Sequence, residues 1–129
     1  MALRTRTQRW GVVLDAPDAH ELAVFYVRLL GWQVVEDSPG WVVIARSEDD
    51  DHTIAFATES KFVRPVWPTV DGQQQMSMHL DLAVDDLVAA VAYAGEVGAT
   101  LAPYQPQERV RVMFDPAGHP FCLYVETPR

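Results

Sequence analysis

The 129 residues carry a formal charge of −8, are 49% apolar and include a single cysteine, Cys122. An acidic chain lacks the basic face that phosphate contacts need, so nucleic-acid binding is not expected, and one cysteine cannot form an internal disulfide. No apolar run approaches the roughly 20 residues of a membrane span, and no apolar segment of signal-peptide type follows the basic first nine residues, so a cytoplasmic protein of one domain is expected.

Trp10 to Leu14 opens the chain as an apolar strand. Asp18 then stands three residues before Glu21, the spacing of a capping box. Leu22, Phe25, Tyr26 and Leu29 follow at helical spacing, and Gly31 is placed to close the helix. Trp32 to Val35, Trp41 to Ala45 and Thr53 to Ala57 read as short strands, separated by Pro39-Gly40 and by the acidic run Glu48 to Asp51. That acidic run lacks the spaced ligands and central glycine of a calcium loop and reads as a solvated turn. Trp32 and Trp41 are expected in the core. His20, in the first helical turn, and His52, beside the acidic turn, are expected at the surface. Lys61 to Gln75, with Pro65, Pro68 and Gly72, reads as a linker in which Trp67 is the aromatic residue best placed to touch a ligand.

The order then repeats. Met78 to Val84 is a strand, Asp86 takes the place of Asp18, and Leu87, Val91 and Ala94 line one helix face before Gly98. Strands follow near Thr100, at Val110 to Phe114 and at Phe121 to Glu126. Asp115-Pro116-Ala117-Gly118 has the composition of a type I turn, with His119 just after it. Sliding the chain by about 68 residues lays Gly11–Asp18 on His79–Asp86 and Phe25 on Tyr93. With one residue dropped, Gly31 falls on Gly98 and His52–Phe56 on His119–Leu123. The expected class is α+β, two tandem βαβββ modules at about 7–60 and about 77–127 joined by a linker at about 61–76.

Phe25-Tyr26 with Leu29-Leu30-Gly31-Trp32, His79-Leu80-Asp81-Leu82 with Asp85-Asp86-Leu87, and Asp115-Pro116-Ala117-Gly118-His119-Pro120 come in an order and spacing that resembles the glyoxalase-like (vicinal-oxygen-chelate) superfamily over essentially the whole chain. The resemblance implies a cup-shaped sheet with the helices outside, and commonly a homodimer. It also implies a divalent metal held in the cup by two ligands from each half, at the places occupied here by Gly11, Ala55, His79 and Cys122. Only His79 is a conventional match, because Gly11 and Ala55 carry no donor and a cysteine replaces the usual carboxylate. No cofactor is therefore expected, and a divalent metal only against that pattern.

Strand alternation sends Val12, Leu14, Ile54, Phe56, Leu80, Leu82, Val84, Phe121, Leu123 and Val125 under the helices. It turns Gly11, Val13, Asp15, Ala55, Ala57, His79, Asp81, Ala83, Cys122, Tyr124 and Glu126 toward the cup. The candidate binding residues are accordingly Gly11, Val13, Ala55, His79, Asp81, Cys122 and Tyr124. His79 and Asp81, two apart on one strand face, are candidate acid–base groups; the alternative is that they are paired for structural reasons, the commoner arrangement. Cys122 has no activating feature and reads as a small apolar residue rather than a nucleophile. These features suggest a protein that binds a small molecule, cationic or aromatic, without the usual metal. The alternatives are a lyase, isomerase or dioxygenase-type enzyme of the same superfamily and a module whose cup is vestigial.

Overall fold

The computed structural model describes residues 2–126. The chain divides between Phe62 and Val63 into two compact units of the same design. The first contains β1 (Trp10–Ala16), α1 (Ala19–Leu30), β2 (Gln33–Ser38), β3 (Trp41–Ala45) and β4 (His52–Thr58). The second contains β5 (Asp81–Ala83), α2 (Leu87–Glu96), β6 (Thr100–Leu101), β7 (Val110–Phe114) and β8 (Pro120–Tyr124). The sheet orders are β1-β4-β3-β2 and β5-β8-β7-β6, so each module's first and last strands lie side by side and parallel. The two βαβββ modules of an α+β fold are thus present as the repeat predicts.

The local signals explain most boundaries. The Asp18 carboxylate accepts the backbone N–H groups of His20 and Glu21, satisfying donors that the first helical turn leaves open. Gly31 ends α1 at φ 70°, and its N–H bonds back to the Val27 carbonyl. Asp86 caps α2 through the Ala89 N–H, and Gly98 stands one residue beyond the cap Val97 at φ 121°. In the first unit, Tyr26 of α1 stacks on Phe56 of β4 with ring centroids 5.5 Å apart. Leu22, Phe25, Val42, Ile44 and Ile54 are buried with them. In the second unit Ala94, Met113, Phe121 and Leu123 are buried.

Some expectations are corrected. The strand expected over 78–84 pairs only at Asp81–Ala83, because β8 offers it three register partners. The last strand starts at Pro120 and ends at Tyr124 rather than running to Glu126. Trp32 precedes β2 instead of starting it. Trp32 and Trp41 are half-buried rather than core, and the Trp41 indole N–H donates to Glu36, a polar partner on the neighbouring exposed strand. In the acidic turn, Asp50 accepts from Arg46 Nε at 2.6 Å; that guanidinium and the His52 N–H hold its carboxyl below the usual carboxylate range. His20 and His52 are exposed, His20 beside Asp37 at 2.7 Å.

Candidate functional site

The sheet of the second unit has one face against α2 and one free of it. Along β8, Phe121 and Leu123 are buried, while Cys122 and Tyr124, which alternate with them, are half-buried and point the other way. Register places Val112 beside Cys122 and Val110 beside Tyr124 across β7–β8, and Asp81 beside Cys122 across β5–β8. This face floors a pocket of about 120 Å³ lined by Trp67, Met76, His79, Pro106, Gln107, Val110, Val112 and Cys122.

Two side chains hold the walls. The Trp67 indole N–H donates to the Tyr104 carbonyl at 3.2 Å, and the two rings lie 5.9 Å apart. Gln105 fastens the loop that carries Pro106 and Gln107. Its amide donates to the carbonyls of Ala102 (2.9 Å) and Val112 (2.8 Å), and its oxygen accepts the Val112 N–H at 2.8 Å.

At the polar end, His79 and Cys122 line the pocket and Asp81 stands beside both. His79 Nε2 lies 3.2 Å from Asp81 Oδ1, with side chains 36% and 60% exposed. Burial pushes the Cys122 thiol up from 9.0 to about 11; the Asp81 charge, and the hydrogen bond its carboxylate accepts from the thiol, add to the shift. A thiol so raised is a hydrogen-bond donor at neutral pH, not a nucleophile. In the metal-free protein, alkylation of Cys122 by iodoacetamide is expected to accelerate about tenfold per pH unit up to about pH 11. Asp81→Asn should lower that midpoint. A rate that levels off near pH 8.5 in the parent protein would contradict this placement.

The structure thus brings three of the sequence-derived candidates together. Tyr124 lies further along β8, opposite Ala83 and Val110, and does not line the pocket. The other candidates belong to the first unit, where Val13 and Ala55 are register partners, Val13 exposed and Ala55 only 4% exposed. Sequence reasoning missed Val110 and Val112, although alternation along β7 carries that signal. It also missed Met76, Pro106 and Gln107, which stand in irregular segments where no periodicity marks them.

A metal centre built two by two from the halves does not fit these residues. Gly11 and Ala55 offer no side-chain donor, and at Gly11 the backbone leaves no room for one. A Cβ built there would lie 2.6 Å from the Thr53 carbonyl oxygen, closer than real Cβ contacts come. Among the described residues, the group of three or more His, Cys, Asp or Glu side chains able to share an ion is His79, Asp81 and Cys122, all of the second unit.

No curated protein matches the chain. Among solved structures it is similar to a glyoxalase/bleomycin resistance protein/dioxygenase family enzyme from Burkholderia phytofirmans PsJN, with 21% identity over 89% of this chain and 95% of that one and a TM-score of 0.63. It is similar to the fosfomycin resistance protein FosX from Mesorhizobium loti, with 16% identity over 92% and 91% and a TM-score of 0.66. TnmS3, an antibiotic binding protein from Streptomyces sp. CB03234, shares 22% identity over 98% and 99% with a TM-score of 0.57. The family model for the glyoxalase-like domain matches residues 11–124, nearly the whole described chain, and the protein belongs to that family.

Proposed function

We propose that the protein binds a small organic molecule, aromatic or cationic, in the pocket of its second unit, and that it does so without the family's usual oxygen- and nitrogen-liganded metal. The observation that carries this reading is the pocket itself: an apolar lining from Trp67, Met76, Val110 and Val112 with a few polar groups at one end. That is the common make-up of small-molecule sites, with area from the walls and orientation from the polar atoms. The Trp67 ring supplies a flat face for a planar ligand. The net charge of −8 favours the approach of a cation. An antibiotic-binding protein among similar structures supports the reading. No helix among the described residues is long and apolar enough to cross a membrane. As many members of the fold do, the chain is taken to pair as a homodimer, which sedimentation velocity tests directly.

Proflavine, a planar aromatic cation, is a suitable probe. Equilibrium dialysis should give saturable binding that weakens at least tenfold in Trp67→Ala, about 1.4 kcal/mol, and mass spectrometry should recover the compound unchanged. Binding that is not saturable, or is indifferent to Trp67→Ala, counts against the pocket. One observation favours an enzyme instead: His79 Nε2 within 3.2 Å of Asp81 is the geometry of an acid–base pair. On that reading a bound compound is converted, and conversion stops in His79→Ala and in Asp81→Ala.

A further inference from the structure

At the polar end of the pocket stand three side chains with metal-binding atoms of three kinds, two of them in its lining. Asp81 and Cys122 are partners across the parallel β5–β8 pair, and His79 precedes Asp81 by two residues. One ligand atom from each lies within 4.8 Å of the other two. A tetrahedral ion with nitrogen and oxygen at about 2.1 Å and sulfur at about 2.3 Å spaces its ligands by roughly 3.3–3.7 Å. Closing the remaining difference of about 1 Å needs side-chain rotation only, since Asp81 and Cys122 are already fixed side by side by the sheet.

We infer that His79, Asp81 and Cys122 form a site for a single thiophilic divalent cation of the zinc class. His79 and Cys122 stand at two of the places of the family's usual centre, but the site differs from it in its donor set, with Asp81 as the third ligand, and in coming from one unit. A thiolate beside an imidazole and a carboxylate selects zinc, cadmium or cobalt over magnesium, calcium or manganese. On binding, the Cys122 sulfur exchanges its proton for a bond to the ion, and one proton leaves to solvent. Three protein ligands leave a fourth position open. His79 and Cys122 line the pocket, so that position can take a donor atom of a molecule held against Trp67 and Met76. The inference stands apart from the organic-ligand reading, because the ion needs only its three side chains.

The test uses the full chain, tag-free and stripped with chelator, titrated with cobalt(II). The expected result is one equivalent bound, with a near-ultraviolet sulfur-to-cobalt charge-transfer band that zinc abolishes and magnesium does not. Cys122→Ser should remove the band. His79→Ala and Asp81→Ala should keep it but weaken binding by roughly 10- to 100-fold or more. Should Cys122→Ser fail to fold, the parent protein still decides: zinc, and not magnesium, should slow alkylation of Cys122. No charge-transfer band, a band that survives Cys122→Ser, or alkylation indifferent to zinc overturns the inference. The proflavine measurement is made on stripped protein, so either reading can fail alone.

Discussion

Asp115→Ala is expected to lower stability to urea by about 3–5 kcal/mol, the range seen when one partner of a buried charged network is removed. Asp115 is 2% exposed, and its carboxylate accepts the backbone N–H groups of Ala117 (3.0 Å) and His119 (2.9 Å) and faces His119 Nδ1 at 2.8 Å. The backbone closes the same turn, with the Gly118 N–H bonded to the Asp115 carbonyl at 2.9 Å. Alanine would remove the carboxylate that faces the His119 ring and the acceptor of two backbone amides, where an unmade buried hydrogen bond costs about 1–3 kcal/mol. Asp115→Asn keeps an acceptor oxygen for the amides while losing the charge, so a smaller loss is expected. The turn feeds β8, so the alanine variant should also loosen Cys122, raising its alkylation rate. A loss below about 1 kcal/mol for Asp115→Ala would mean that the turn holds without its carboxylate.

Gly11→His, the change that would restore a ligand at the first-strand place, is expected to destabilise the first unit by about 1–3 kcal/mol or more and to add no metal affinity. The obstacle lies at the first side-chain atom. A Cβ at Gly11 would run into the Thr53 hydroxyl and would lie 2.6 Å from the Thr53 carbonyl oxygen. The hydroxyl can rotate away, but the carbonyl belongs to β4, so β1 and β4 must separate. Gly11→Ala should therefore show much of the same loss in a urea titration. An alanine variant as stable as the parent would remove the argument. If both are destabilised, one substitution cannot place a ligand at this position.

Much of the fold was legible because it rests on local chemistry. Asp18 and Asp86 are cap residues with their helical stripes behind them, and Gly31 and Gly98 take backbone angles that other residues rarely adopt. The site was legible where strand alternation sufficed, as in the grouping of His79, Asp81 and Cys122. It was illegible where the wall comes from irregular chain. Met76, Pro106 and Gln107 occupy positions set by tertiary contacts such as the Gln105 bonds, and those leave no period in the sequence. Trp41 misled for a related reason: hydrophobicity alone does not say that an indole N–H will find a partner on an exposed strand.

Gln105 has a wider consequence. By bonding both polar groups of its amide to the main chain of Ala102 and Val112, it stands in for a missing strand residue and ties the wall loop to the sheet through one side chain. Pro106 and Gln107 then project from an anchored base and contribute little to the core. Substitutions at those two positions can reshape what the pocket admits while the folding free energy stays nearly constant. On the proposed binding reading, the fold separates selectivity from stability at these two positions, so ligand preference can change there without stabilising changes elsewhere.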